Sequence, residues 1–127
     1  MHTVIETPAG DVNFISTHFG LKVEERSRHV FELLEYVENL SGPVIIAGDF
    51  NAVDTTEEVQ RLFARGFVEV AGLLNQVQPT LIGSDARIDY LFISPDISVY
   101  DVVTLDVDGS DHRPVMGLVS IPLTERL

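Results

Sequence analysis

The sequence has no cysteine and no tryptophan, and it carries little positive charge. The missing cysteine excludes a disulfide framework, a thiolate zinc site and a thiol nucleophile. Lysine and arginine number 8 against 20 aspartate and glutamate residues, which gives the 127 residues a net charge of −12. Such a surface repels polyphosphate, so charge alone disfavours sequence-independent binding of duplex nucleic acid. It suits a small substrate, a site screened by metal ions, or a salty medium.

Long apolar runs are absent as well. No segment approaches the ~18 apolar residues that are needed to cross a bilayer. The first ten residues contain Glu6 and no apolar core, so no signal peptide is recognised. We therefore expect a soluble, cytoplasmic protein with no membrane partner. The length fits one compact domain, residues 1–127, and the hydrophobic share of 45% is that of a globular chain.

The first half of the chain changes its hydrophobic period twice. Residues 3–6 and 12–17 are β-prone and flank a Pro-Ala-Gly-Asp turn, which predicts a hairpin. From Val23 to Leu40, apolar residues recur at intervals of three and four, which predicts an amphipathic helix. A Ser-Gly-Pro sequence ends that helix, and the wholly apolar residues 44–48 predict a strand buried on both faces.

The second half predicts one more helix and three strands. Thr55 and Glu58 form a capping-box pattern, so a short helix is expected to begin there and to end near Arg65. Residues 67–74 are ambiguous. Strands are predicted at residues 88–93, 99–107 and 114–121, with a polar loop at 108–113. The element order β-β-α-β-α-β-β-β predicts an α/β fold with a mixed sheet.

A Gly-Asp-Phe-Asn-Ala segment occupies residues 48–52, where the buried strand stops. Asp49 and Asn51 are two positions apart, so an extended backbone would point both side chains the same way. A carboxylate and an amide oxygen on one side form a fragment of a hard-cation site. The same residue types make Asx turns at strand ends, so the pentapeptide leaves both interpretations open.

Asp89 is a carboxylate within an otherwise apolar strand, where it must be paired to avoid a large desolvation penalty. We predict that His112 is its partner, because such an aspartate fixes the tautomer of the ring and raises its basicity. The alternative is that Asp89 accepts backbone N–H groups at a strand edge. Asp111 and His112 stand together before the last strand, and His18 ends the second strand. Taken singly, these residues are weak signs of chemistry.

Four segments are weak signs singly but form a specific pattern because they follow one another in a fixed order. They are Ser-Thr-His-Phe at 16–19, Gly-Asp-Phe-Asn-Ala at 48–52, the strand region at 87–94 and Ser-Asp-His-Arg-Pro-Val at 110–115, with Pro-Thr at 79–80. Together they resemble the endonuclease/exonuclease/phosphatase superfamily of metal-dependent phosphoesterases with a DNase I-like fold. The resemblance covers only the C-terminal half of the family domain. It implies half of a four-layer α/β sandwich, with a mixed sheet and helices on one face.

The resemblance also implies roles for the matching residues. His18 resembles the histidine that contacts the scissile phosphate, and Asp49 resembles the aspartate that orients or deprotonates the attacking water. Asn51 resembles the partner of Asp49 at phosphate and metal, and Asp89 with His112 resembles the supporting Asp–His pair. The implied catalytic residues are His18, Asp49, Asn51, Asp89 and His112. The implied ligands of Mg²⁺ or Mn²⁺ are Asp49, Asn51, Asp111 and His112.

The family's N-terminal half, with an early Asn and a metal-binding Glu, has no counterpart in this sequence. We therefore predict that one sheet face exposes more Val, Ile, Leu and Phe surface than a monomer tolerates. A homodimer that packs two such sheets face to face would cover it. A separate N-terminal partner chain is the rival cover.

The expected function is Mg²⁺- or Mn²⁺-dependent hydrolysis of a phosphodiester or phosphomonoester. A nuclease is included, although the net charge disfavours nucleic acid as partner. One alternative is a half-domain that has lost turnover and serves as an assembly or binding module. Another is a fragment that acts only together with the missing half.

Overall fold

A computed structural model gives the structure of the protein for residues 1–107 and 109–123. Residue 108, which begins the predicted loop, and residues 124–127, which end the predicted domain, lie outside these ranges. The strands are β1 (His2–Thr7), β2 (Gly10–His18), β3 (Val44–Asp49), β4 (Val68–Glu69), β5 (Asp89–Ile93), β6 (Ser98–Thr104) and β7 (Val115–Ser120). The helices are α1 (Val23–Glu38), α2 (Glu57–Ala64) and α3 (Val70–Leu73). None of the helices within these ranges is long and apolar enough to cross a bilayer.

Five strands form a mixed sheet in the order β1-β2-β3-β5-β4. β2 and β3 are parallel, and the other neighbours are antiparallel. The parallel pair needs a crossover connection, which α1 supplies. β6 and β7 form a separate antiparallel pair. The predicted α/β fold with a mixed sheet is confirmed.

Helices α1 and α2 cover one face of the five-stranded sheet. They bury their apolar sides against Ile46 of β3 and against Tyr90 and Phe92 of β5. The buried residues of α1 keep the predicted spacing of three and four: Val30, Leu33, Leu34 and Val37. This packing produces the larger of the two described apolar cores, and the two predicted helices lie on one face as expected.

The opposite face of the sheet is covered, so the prediction that it would be bare was wrong. Helix α3 and the β6–β7 pair pack on it, and they bury Ile93 of β5 together with Val102 of β6. Gly117 of β7 faces this core, since a Cβ there would lie 3.2 Å from Leu91. Apolar side chains are exposed on edge strand β1, at Val4 and Ile5, and on the outer side of the β6–β7 pair: Tyr100, Val103, Met116 and Leu118.

Most element boundaries differ from the predictions by one to three residues; β6, for example, ends at Thr104 rather than at residue 107. α2 begins one residue later than predicted, because the hydroxyl of Thr56, not that of Thr55, accepts the capping hydrogen bond from the Val59 amide. The ambiguous residues 67–74 form β4 and α3. Glu69 ends β4 and caps α3: it is buried, and its carboxylate accepts hydrogen bonds from the amides of Ala71 and Gly72.

Candidate active site

Three strands bring acidic and imidazole side chains to one end of the sheet. β2 and β3 run in parallel and end at His18 and Asp49, whereas β5 runs antiparallel to β3 and begins at Asp89. The register pairs His18 with Asp49, and Asp49 with Asp89. Because residues paired across neighbouring strands project from the same face, these three side chains form one row.

Gly48 allows this row to form. Its φ of 154° lies in the region that favours glycine, and a Cβ there would lie 1.8 Å from the carbonyl oxygen of Thr17 on β2. A larger residue would therefore push β3 away from β2 immediately before the paired His18 and Asp49. The close approach of the two strands explains why glycine precedes the aspartate.

His112 reaches the row from the loop before β7 and contacts Asp89. Its Nδ1 atom lies 2.7 Å from Oδ2 of the carboxylate, so the structure brings the two predicted partners together. This hydrogen bond raises the pKa of His112 above its ordinary value, because the carboxylate stabilises the protonated ring. Burial of the ring opposes the increase, and the negative charges of Asp89, Asp49 and Asp111 add to it.

The carboxylate of Asp49 lies between two imidazole rings. Its Oδ2 atom is 3.4 Å from Nε2 of His18 and 3.7 Å from Nε2 of His112. The Asp49 side chain is 17% exposed and that of His18 is 74% exposed. The row therefore opens to solvent at its His18 end, where a substrate has access.

Asp49 and Asn51 form an Asx turn, which is one of the two interpretations of this segment. The Oδ1 atom of Asp49 accepts the backbone N–H of Asn51 at 2.8 Å. Asn51 has a φ of 49°, so the extended backbone that would align both side chains does not continue through it. Its side-chain amide donates to the carbonyl of Phe19 at 2.6 Å and ties the turn to the end of β2. Oδ2 of Asp49 remains directed toward the histidines.

The row contains a group of donors that fits a metal ion. Ligand atoms of Asp49, Asp89 and His112 lie within 4.8 Å of one another. Asp89, which the family resemblance made a supporting residue, thus joins two of the implied ligands. Asp111 stands outside this group: it is exposed, and its Oδ1 atom lies 3.3 Å from the hydroxyl of Ser110. It is still near enough for its charge to raise the pKa of His112.

Buried polar residues behind the row were not predicted to take part in the site. The hydroxyl of Thr80 accepts two backbone N–H groups at the start of β5. Glu69 forms a buried ion pair with Arg87. A charged residue within the mostly apolar stretch 67–74 is the sequence signal for Glu69, whereas Thr80 is marked only by its place in the Pro-Thr segment.

Together, the fold and the row of side chains agree with one protein family. The sequence profile of the Endonuclease/Exonuclease/phosphatase family matches residues 2–112. The chain belongs to this family, as its motifs indicated.

Relatives of known sequence or structure extend the comparison. A UPF0294 protein of Vibrio vulnificus is 29% identical over 115 residues, which are 87% of this chain and 39% of that protein. An endonuclease/exonuclease/phosphatase structure from Beutenbergia cavernae is similar with a TM-score of 0.79 at 21% identity, over 95% of this chain and 39% of that one. A mannosyl-6-phosphatase structure from Bacteroides thetaiotaomicron gives 0.72 at 20% identity, over 87% and 52%. The likenesses confirm the fold, and the chain spans about two fifths of its curated relative.

Proposed function

We propose that this chain carries the active centre of a divalent-metal-dependent phosphoesterase. The observation that supports the proposal most strongly is the placement of the Asp49 carboxylate between His18 and His112, with His112 held by Asp89. The carboxylate can act as a base, and the neighbouring imidazoles carry positive charge when they are protonated. Attack of water on phosphorus needs both.

Asp49 is the proposed general base. Its Oδ2 atom accepts a proton from water, whose oxygen bonds to phosphorus while the bond from phosphorus to the leaving oxygen breaks. The leaving oxygen takes its proton from solvent. His18 and His112 present Nε2 on the same side as Oδ2 of Asp49, where they stabilise the charge of the five-coordinate phosphorus. The raised pKa of His112 favours the charged ring that this role requires.

The proposed cation is Mg²⁺ or Mn²⁺. The donors of Asp49 and Asp89 fit it, because carboxylate oxygens are preferred by hard divalent cations. His112 would ligate the ion through Nε2 only with a neutral ring, and His18 together with the ion would then supply the positive charge at phosphorus. We add Asn51 and Asp111 as proposed ligands. The backbone N–H of Asn51 donates to Asp49, which keeps Asn51 next to the group, and Asp111 lies within electrostatic reach of His112. When bound, such an ion polarises a phosphoryl oxygen and neutralises part of its charge.

The proposed substrate is a small phosphoester rather than a nucleic acid. A net charge of −12 repels a polyanion, whereas a small ester carries only a local charge that a bound cation offsets. The similarly folded Bacteroides structure is a mannosyl-6-phosphatase, which supports a phosphomonoester among the small esters.

A second copy of the chain is the proposed partner. The exposed apolar residues of β6 and β7 are between 40% and 68% exposed and form one surface: Tyr100, Val103, Met116 and Leu118. This chain covers 52% of the mannosyl-6-phosphatase, so two copies provide about the length of one such chain. Light scattering is expected to give a dimer, and Leu118→Asp is expected to give a monomer. A wild-type monomer at micromolar concentration would overturn this proposal. A different polypeptide would then be the expected cover of the apolar surface on β6 and β7.

Hydrolysis assays test the proposed function directly. An aryl phosphomonoester, an aryl phosphodiester and single-stranded DNA are each incubated with the protein and Mn²⁺ or Mg²⁺, with and without a chelator. We expect metal-dependent release of product from an aryl ester, abolished by the chelator, and little cleavage of DNA. A rate of hydrolysis that is the same with and without the chelator would contradict metal dependence. Mn²⁺ binding without hydrolysis of any ester would favour a binding module.

A further inference from the structure

We propose that Thr80 is a positioning residue that holds Asp89 in place against His112, a proposal that rests on the proposed function. Thr80 is 1% exposed and belongs to the loop between α3 and β5. It touches neither Oδ2 of Asp49 nor the solvent-open end of the row in any described contact. Its effect would act through Asp89 and His112.

The side chain of Thr80 binds the strand that carries Asp89. Its Oγ1 atom accepts the backbone N–H of Ile88 at 3.0 Å and that of Asp89 at 3.2 Å. On the other edge, the carbonyl of Ile88 accepts the N–H of Phe50, next to Asp49. The first residues of β5 are therefore fixed from both sides, by β3 and by one hydroxyl oxygen.

The backbone around Thr80 binds the loop that carries His112. The carbonyl of Thr80 accepts the N–H of Arg113 at 2.7 Å, and Leu81 forms an isolated antiparallel bridge with His112. The N–H of Ile82 donates to the carbonyl of Asp111 at 2.8 Å. One short segment thus holds His112 through its backbone and Asp89 through a hydroxyl.

The hydroxyl oxygen is the essential atom in this arrangement. A valine at position 80 keeps the shape of threonine but leaves two backbone N–H groups without their acceptor. Such groups are costly when buried, so the start of β5 is expected to shift until they find another acceptor. A shift of that kind changes the distance from the Asp89 carboxylate to His112 without altering any group that touches substrate.

The experiment compares Thr80→Val with Thr80→Ser, and uses Thr56→Val as the matched control. Thr56 also accepts a backbone N–H through its hydroxyl, but it caps α2. For Thr80→Val we expect kcat for an aryl phosphoester with Mn²⁺ to fall by about tenfold or more, with KM within about twofold, as for a displaced catalytic group. Thr80→Ser and Thr56→Val should keep the wild-type kcat.

Two NMR readouts need no activity. In Thr80→Val, the amides of Ile88 and Asp89 should exchange faster with deuterium. The downfield Nδ1 proton of His112, assigned by its loss in His112→Asn, should weaken or shift. The exchange rates of these amides and the His112 proton signal should be those of wild type in Thr80→Ser and Thr56→Val. If wild type hydrolyses no ester, the proposed function fails while these signals still test the positioning of Asp89.

Should Thr80→Val not fold, Thr80→Cys replaces it. Serine and cysteine share one shape, but sulfur is the weaker acceptor, and the chain has no other cysteine. Unchanged exchange at Ile88 and Asp89 and an unchanged His112 proton in the folded valine or cysteine variant would overturn the proposal. Equal losses of kcat in Thr80→Ser and Thr80→Val would also overturn the proposal.

Discussion

The Nδ1 atom of His112 lies 2.7 Å from Oδ2 of Asp89, although the two residues are 23 positions apart. Asp89 begins β5, and His112 lies in the loop before β7. The hydrogen bond uses one ring nitrogen and leaves Nε2 facing Asp49 at 3.7 Å. Asp89 thereby influences the carboxylate of Asp49 through the ring of His112.

Replacing Asp89 with asparagine is expected to lower the pKa of His112. The first cause of the raised pKa is the hydrogen bond to this carboxylate, and its negative charge adds to the effect. In Asp89→Asn the amide keeps the shape but loses the charge, so the pKa moves back toward its ordinary value of about 6.5. NMR titration of the His112 ring measures this shift. An unchanged or higher pKa in the variant would show that Asp89 is not the cause.

The same pair predicts how stability depends on pH. Because its folded-state pKa is raised, protonated His112 stabilises the fold fully below the unfolded-state pKa of about 6.5. That contribution is lost as pH rises through the folded-state pKa. Urea unfolding of wild type and His112→Asn at several pH values should therefore show the advantage of wild type decreasing over this window. An advantage that grows with rising pH would have the wrong sign.

The buried pair of Glu69 and Arg87 is expected to matter greatly for stability. Their side chains are 1% and 10% exposed, and Glu69 also accepts two amides of α3. Glu69→Ala removes the closer partner of this buried guanidinium and leaves it the half-exposed Asp54 at 3.7 Å, so we expect the free energy of unfolding to fall by about 3 kcal/mol.

The control for this change is Glu57→Ala. Glu57 pairs with Arg61 one turn away on the exposed side of α2, and such pairs contribute no more than about 1 kcal/mol. Urea unfolding of both variants gives the comparison. Similar losses would mean that the buried pair contributes no more than a surface one.

Much of the fold could be predicted because local patterns determine it. The period of α1 and the apolar run of β3 survive in the structure with small changes at their ends. The ambiguous stretch around Glu69 could not be assigned, because a strand of 2 residues and a helix of 4 residues are too short to show a period. Their conformations depend instead on the ion pair with Arg87 and on packing against β5.

Part of the candidate site could be predicted from the sequence, above all the pairing of Asp89 with His112. Asp89 was recognisable because a carboxylate in an apolar strand needs a partner. The turn at Asn51 was one of two interpretations that the sequence left open, because its φ depends on the hydrogen bonds to Asp49 and Phe19. The path of β6 and β7 onto the other sheet face was hidden, since alternation along a strand does not say which sheet the strand joins.

Binding of Mn²⁺ tests which residues hold the ion. We expect Asp49→Asn and Asp111→Asn each to weaken Mn²⁺ binding by about tenfold or more, because losing a ligand, or a residue that supports one, has an effect of this size in protein metal sites. Calorimetric titration of Mn²⁺ into each variant measures the affinity. Wild-type affinity in Asp111→Asn would restrict the site to the group formed by Asp49, Asp89 and His112.

Asp96→Asn is a suitable control for the aspartate variants. Asp96 follows the far end of β5, opposite the end that begins at Asp89, and its carboxylate accepts a hydrogen bond from the hydroxyl of Ser94. The change removes the same charge from the chain without touching the row. It therefore separates a local effect from a change in net charge.

The most direct test of the account is the rate of aryl phosphoester hydrolysis with Mn²⁺ by wild type, Asp49→Asn and Asp96→Asn. The role of Asp49 as base predicts that Asp49→Asn loses a factor of about 10² or more in kcat, while Asp96→Asn keeps the wild-type rate. A folded Asp49→Asn variant that turns over substrate at the wild-type rate would contradict the account.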